Sequence, residues 1–395
     1  MKQRWVLIVL LLCIQVVSVG NSSLAAGAGM KKSSSLLLLT PHYGYSAMKA
    51  TQAEMEAPGW IAGVRSPSQS YELVDGMADL EGHVAMKISS PIRIGSITKT
   101  FTATLVLILV DEGKLSLDDK LQKFLPTYPR GDQITVRHLL KHTSGIVTWD
   151  ENDEIRQSIF DGTGSWTIDQ LIDWAAGQPF LSEPGVAFHY SNIGYFILGK
   201  IIEDASGMTV AQAIRAKIVL PLGLKNTFMA ESPYPPGDYV HGYDASSGSV
   251  VDMTGTPQAI AINYTLAWTA GGMLSTLEDL HIWSKALITG ALLSDSLHEE
   301  QMPVLSPPTE TNPYWSGYGM GIQQTDAWFG HTGAVCGFIC NMSYNPEADV
   351  SIVTFFNKFS AFDLDANTLD LNAAVSNFLK LARMMCPETL VENKR

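Results

Sequence analysis

The chain has 395 residues, of which 46% are hydrophobic and 16% charged, and a formal net charge of −13. This composition excludes disorder and supplies apolar side chains for a sizeable core, in one large domain or two lobes. An acidic, Lys/Arg-poor surface argues against nucleic acid or anionic membrane as partners. The sequence shows no zinc-type Cys/His spacing, Walker loop or G-x-G-x-x-G, so it calls for no metal or other cofactor.

Lys2 and Arg4 precede an apolar stretch from Trp5 to Val17, the layout of a secretory signal. Ser18-Val19-Gly20 and Ala26-Gly27-Ala28 offer cleavage near residue 20 or 28, so residues 1–28 read as a signal peptide of a secreted protein, extracellular or periplasmic. An uncleaved anchor is the alternative. Residues 29–55 are small, polar and low in pattern, and read as a linker. Residues 56–385 read as a single domain.

Within it, Trp60-Ile61-Ala62-Gly63-Val64 and Tyr71-Glu72-Leu73-Val74 predict strands. Helical signals dominate from 96 to about 300, with capping boxes at Thr167/Gln170, Thr209/Gln212 and Ser275/Glu278. Strand patterns return at Tyr318 to Gln323, Gly337 to Met342 and Val350 to Phe356, before an amphipathic helix from about Asn367 to Met384. This order predicts an α+β, or α/β, two-lobe fold. One antiparallel sheet is built from both chain ends (56–95 and 314–385) and flanked by helices, with an all-helical lobe (96–313) inserted. Without the signal, Cys336, Cys340 and Cys386 remain, an odd number that leaves at least one free thiol. Asn263 and Asn341 head glycosylation sequons.

The most informative stretch is Ser96-Ile97-Thr98-Lys99, where an extended segment runs into a long apolar helix beginning near Thr98. Serine and lysine three apart share a helix face. The helix N-terminus favours developing negative charge, and burial can hold a lysine neutral enough to act as a base. Ser46-Ala47-Met48-Lys49 has the same spacing without an apolar helix behind it, so Ser46 is the weaker candidate. Tyr190-Ser191-Asn192 lies at a second loop–helix junction, and Gly330-His331-Thr332-Gly333-Ala334 precedes an apolar strand. Taken alone, the first cluster reads rather as a buried tyrosine with a helix-capping asparagine, and the second has the plain reading of a Gly-rich hairpin with a surface histidine.

The ordered set S-x-x-K, Y-x-N, H-T-G resembles the active-site signature of the class C-like β-lactamase and penicillin-binding serine hydrolase superfamily. Val110-Asp111-Glu112-Gly113, His142-Thr143-Ser144-Gly145 and Ala270-Gly271-Gly272-Met273 are similar to that family's text. The resemblance covers residues 55 to 385 and is nearest to soluble D-alanyl-D-alanine carboxypeptidases and D-peptidases. It implies a cofactor-free hydrolase that works through a Ser96 acyl-enzyme on small peptides, amides or esters, with β-lactams as acylating ligands. It assigns general acid–base work to Lys99 and Tyr190 and leaves open which of them takes the serine proton. Asn192 would bind the acyl-side amide, and the backbone N–H groups of Ser96 and Ala334 would form the oxyanion hole. His331, Thr332 and Gly333 would border the substrate, His331 with a charge that varies near neutral pH.

Two departures stand out. Gln323 follows the Gly317-Tyr318-Gly319-Met320-Gly321-Ile322 run where such carboxypeptidases carry arginine, and Ala334 replaces a hydroxyl residue. A neutral amide does not pair with a carboxylate as a guanidinium does. The expectation is therefore a preference for esters, amides or internal peptide bonds. An esterase or β-lactamase on the same machinery and a non-catalytic penicillin-binding sensor are the alternative readings.

Overall fold

The computed structural model describes residues 34–160, 166–230, 232, 239–245, 248–305, 315–360 and 364–386. The expected signal, residues 1–28, lies outside them. Nine strands form one sheet: β1 (Gly59–Arg65), β2 (Ser70–Asp79), β3 (Val84–Ala85), β4 (Val304–Leu305), β5 (Gly317–Tyr318), β6 (Gln323–Thr325), β7 (Trp328–Val335), β8 (Phe338–Asn345) and β9 (Val350–Phe356). Their order is β3-β2-β1-β9-β8-β7-β6-β5-β4, with every neighbour antiparallel. The strand from the N-terminal half, β1, pairs with the last strand, β9, placing Trp60 opposite Phe356 and Val64 opposite Ile352.

Strand alternation separates two apolar layers. Trp60, Ala62 and Val64 point to one face, where they meet Met48, Phe378 and Leu381 from the helices α1 (Ser34–Met55) and α6 (Leu364–Met385). Ile61, Val353 and Phe355 point to the other face, against a larger core. That core contains α2 (Thr98–Asp111), α3 (Asp153–Phe160), α4 (Asn192–Ser206) and α5 (Leu277–Ile288). α2 is buried on nearly every side. Phe101 stacks on Trp283 of α5 at 4.2 Å, and the Trp283 indole donates to Thr100 Oγ1 at 2.8 Å. Each fully buried Phe or Leu contributes about 1.5–3 kcal/mol, so this helix is fixed firmly enough to position what stands at its head.

Several expectations are corrected. Much of the expected linker is α1, whose Met48 and Met55 are buried and whose Thr51 hydroxyl accepts from Asn377 Nδ2 of α6 at 3.0 Å. Its described buried positions are Gly44, Met48, Thr51 and Met55, only two of them apolar side chains, which hides the pattern. The inserted lobe is not all-helical, because Ile92–Arg93, Phe228–Met229 and Met273–Ser275 form a small sheet of their own. The run from Tyr318 to Gln323 is two short strands joined by a turn at Gly319–Ile322, since Gly321 adopts φ 77°. The cap of α5 is Thr276 accepting from Asp279, not Ser275, which sits in a strand and bonds Thr227. The Thr167 and Thr209 capping boxes form as read. All three cysteines are free and buried, and both sequon asparagines are buried as well.

Candidate active site

Ser96 occupies a single 3₁₀ turn, Gly95–Ile97, that feeds directly into α2. Gly95 allows this approach. Its φ is 48°, and a Cβ there would lie 2.7 Å from the backbone nitrogen of Ala334 on β7. Gly333 is equally constrained, since a Cβ would collide with the Ile94 carbonyl oxygen and stand 2.9 Å from Cys340 Sγ. Turn and strand thus touch backbone to backbone, which brings Ser96 and Ala334 to one cavity.

One turn along α2, Lys99 is fully buried. Its Nζ donates to Ser96 Oγ at 3.1 Å and to the Ala270 carbonyl at 2.8 Å. Burial pushes the Lys99 amine down to about 7, opposed by the negative charge of Asp150. The amine also lies over the rings of Tyr190 and Tyr195, 4.8 and 5.5 Å from their centroids. Tyr190 hydrogen-bonds Ser96 while keeping part of its surface open to the cleft. Desolvation raises its phenol well above the usual range, outweighing the Ser96 bond that lowers it. Ser96 therefore sits between a lysine that can be neutral near pH 7 and a phenol that stays protonated.

Asn192 opens α4, capped by Ser191, whose Oγ accepts from Gly194 N at 3.2 Å. Its backbone donates to Thr148 Oγ1 at 3.2 Å, and its Nδ2 donates to Asp150 Oδ2 at 3.0 Å. A carboxylate only accepts, so the amide nitrogen must face Asp150 and the Asn192 oxygen remains an acceptor. The hydroxyl of Thr148 holds the other Asp150 oxygen. Ser96, Asn192, Asp150 and Ala334 line one cavity of about 160 Å³, together with Trp149, Ile159, Ile262, Leu266 and Arg156.

His331 is buried, and burial pushes its imidazole down to about 3, so the expected variable charge is absent. It belongs to a chain of neutral groups. Ser191 N donates to His142 Nδ1 at 3.1 Å, and His142 Nε2 donates to Tyr318 Oη at 3.2 Å. Tyr318 Oη then donates to His331 Nε2 at 3.1 Å, and His331 Nδ1 donates to the Thr332 carbonyl at 2.5 Å. The ends of the chain fix both tautomers, because Nδ1 of His142 must accept and Nδ1 of His331 must donate. The His142 ring also stacks on Tyr190, with centroids 4.3 Å apart.

Gln323 is not presented to the cleft as expected. It is buried, and its Oε1 accepts from both Thr332 N, at 2.8 Å, and Thr332 Oγ1, at 3.1 Å. This clamp holds β7 where the β6 pairing stops at Gly330, leaving the Thr332–Val335 edge beside Ser96. Gly333 is a packing point rather than a lining residue. Ser46 is a helical surface residue whose Oγ donates to the His42 carbonyl, and its neighbour Lys49 pairs with Asp75, so the decoy motif assembles nothing.

Sequence reading missed Asp150, the Ala270 carbonyl and the His142–Tyr318–His331 chain. His142 and Tyr318 stood in recognised text without a role. Asp150 was masked by the acidic run around it. One further cluster, Asp79, His241 and Asp252, has ligand atoms within 4.8 Å of one another. None of its members lines the Ser96 cavity.

The family model described as Beta-lactamase matches residues 47–375. Penicillin-binding protein 4* of Bacillus subtilis (strain 168) is 30% identical over 266 residues, 63% of this chain and 56% of that protein. Esterase EstB of Burkholderia gladioli is 32% identical over 178 residues, 41% of this chain and 45% of that protein. The chain thus spans about half the length of these curated relatives. The structure of a D-stereospecific amidohydrolase from Streptomyces sp. superposes with a TM-score of 0.69 at 28% identity, covering 84% of this chain and 98% of that one.

Proposed function

We propose that this chain, which belongs to the beta-lactamase family, hydrolyses amides and esters of small D-amino-acid or peptide substrates through a Ser96 acyl-enzyme. The observation that carries this reading is the hydrogen bond from a fully buried Lys99 to Ser96 at the head of α2. With its proton affinity lowered to about 7, Lys99 is a base at neutral pH, whereas Tyr190 keeps its proton. Lys99 therefore receives the Ser96 proton as Oγ bonds to the substrate carbonyl carbon. The oxyanion faces the Ser96 and Ala334 backbone N–H groups, where one such donor contributes about 3 kcal/mol in well-studied hydrolases. As the C–N or C–O bond breaks, Tyr190 donates its proton to the leaving group and regains one from Lys99. Water then cleaves the acyl-enzyme with the same groups in reverse.

The relatives support this chemistry without fixing the substrate. The Streptomyces neighbour is a D-stereospecific amidohydrolase and EstB an esterase. Ester hydrolysis is favoured specifically by the apolar wall of Trp149, Ile159, Ile262 and Leu266. A carboxypeptidase role is the weaker reading, because Gln323 is spent on Thr332. The lining arginine, Arg156, belongs to the Asp150 segment and pairs with Asp153 at 3.6 Å. We also read the N-terminal apolar stretch as an export signal, which N-terminal sequencing of exported protein tests.

The direct test is a pH profile of kcat/KM on a neutral p-nitrophenyl ester and on D-phenylalanine p-nitroanilide. Both substrates are turned over, and the ester rate rises through about pH 7 as Lys99 loses its proton. A rate that falls across that range contradicts the assignment of Lys99 as base.

A further inference from the structure

One cluster of side chains has no part in the chemistry above. Asp79 ends β2, whereas His241 and Asp252 come from the segment that forms a two-stranded hairpin of Tyr243–Asp244 and Val251–Asp252. His241 is tied to the sheet through its backbone N–H, which donates to the Ala78 carbonyl at 2.8 Å. Its Nδ1 lies 2.6 Å from Asp252 Oδ2 and 3.8 Å from Asp79 Oδ1. One ligand atom from each residue falls within 4.8 Å of the other two, and all three side chains are partly buried.

This arrangement fits a bound cation better than a closed ion pair. Each carboxylate is oriented by a backbone donor, Gly82 N to Asp79 Oδ1 at 2.9 Å and Thr254 N to Asp252 Oδ1 at 2.7 Å. Outer contacts of this kind fix the ligands of a metal. The His241 ring is stacked on Tyr239, with centroids 5.5 Å apart, which holds its Nδ1 toward the carboxylates. Glu81 adds a third negative charge, since it, Asp79 and Asp252 all act on the Tyr243 hydroxyl. Among the described residues, no lysine or arginine pairs with any of these three carboxylates. One imidazole, even protonated, does not balance them. A zinc-type ion about 2.0–2.2 Å from one nitrogen and two oxygens sets neighbouring ligand atoms about 3.4 Å apart. The observed 2.6 and 3.8 Å separations bracket that spacing. An imidazole among the donors favours a transition ion of this kind over calcium or magnesium, which take oxygen ligands.

We propose that Asp79, His241 and Asp252 bind one divalent ion of the zinc type, with water completing its shell, as a staple between β2 and the hairpin. Nδ1 of His241 gives any proton it carries to solvent as the ion enters. The hairpin reaches the active site through its backbone. Tyr243 N donates to the Asn357 carbonyl at 3.1 Å, and the Tyr243 carbonyl accepts from Phe359 N at 3.0 Å. Phe359 lines the Ser96 cavity, so the ion braces one of its walls without touching the reacting groups. The site stands independently of the acyl-enzyme reading.

The test uses the full chain without a histidine tag, stripped of metal by a chelator and titrated with zinc chloride. Isothermal titration calorimetry should show one ion per chain. Thermal unfolding should move up by about 4 °C once free zinc exceeds its Kd a hundredfold. Calcium and magnesium chloride should produce little of either response. Asp79→Asn and Asp252→Asn keep an oxygen for Gly82 N and Thr254 N and remove the charge. Each should weaken zinc binding by about tenfold to hundredfold or more, while the metal-free proteins unfold close to wild type. His241→Ala removes the nitrogen ligand without altering either carboxylate, and reads the same loss where an Asn variant does not fold. Three results would overturn the proposal. They are no heat and no thermal shift with zinc, zinc binding undiminished in a folded variant of any of the three residues, and a response to calcium or magnesium with none to zinc.

Discussion

Replacing Lys99 by methionine separates the cost of burying this amine from its use. An unfolded lysine ionises near 10.5, and burial lowers the folded value to about 7. Because the folded value is the lower one, the folded state binds fewer protons between the two. The ammonium therefore destabilises the fold fully below pH 7, and the penalty fades as pH rises towards 10.5. At 1.36 kcal/mol per unit, the full penalty is about 5 kcal/mol. It amounts to nearly that at pH 6 and about 2 kcal/mol at pH 9, a change of about 3 kcal/mol across the window. Lys99→Met abolishes this change and leaves the Ala270 carbonyl without its donor, an opposing cost of about 1–3 kcal/mol that does not depend on pH. Denaturant unfolding of both proteins at pH 6 and pH 9 measures it. Wild type should gain about 3 kcal/mol on the variant over that interval, and the variant should be the more stable protein at pH 6 while inactive. The depressed His281 is common to both proteins, and at His142 and His331 burial is the larger cause and the Lys99 charge only adds to it, so their contributions largely cancel. Parallel pH dependences would refute the claim that Lys99 is held neutral by burial.

Further outcomes follow from the same geometry. Tyr318→Phe orphans the His142 Nε2–H and the His331 Nε2 lone pair inside the core, so denaturant unfolding should show a loss of about 2–4 kcal/mol, with turnover lowered because His142 supports Tyr190. Tyr190→Phe should fold normally and lose about a hundredfold or more in turnover, and wild-type rates would reduce Tyr190 to a packing residue. Gly333→Ala must push β7 away from Ile94, so acylation should slow sharply even where thermal unfolding shows a folded protein.

The sheet was readable in the sequence because Trp60–Val64 and Val350–Phe356 alternate or run apolar in the way a buried strand must. Ser96 and Lys99 were readable because they stand at a helix start that the local residues announce, whereas Tyr190 and Asn192 were readable only as members of the ordered set they form with them. What stayed hidden depends on contacts between distant segments. Lys99 needs the carbonyl of Ala270, and His331 loses its charge because the fold buries it and sets it near Lys99. Gln323 turns inward because Thr332 offers it two donors, which a comparison of single positions does not reveal. α1 was missed for the opposite reason, its helical face being legible only once α6 is known to cover it. Asp150 stands in an acidic run from which no local pattern singles it out, and only the fold places it on the wall beside Ser96.

The central claim is that Ser96 forms the acyl-enzyme, and covalent trapping tests it most directly. Intact-protein mass spectrometry after reaction with a fluorophosphonate, followed by peptide mapping, should show one adduct on the peptide containing Ser96, faster at pH 8 than at pH 6 and absent in Ser96→Ala. An adduct on Ser46 or another residue, or labelling and turnover that survive in Ser96→Ala, would contradict it.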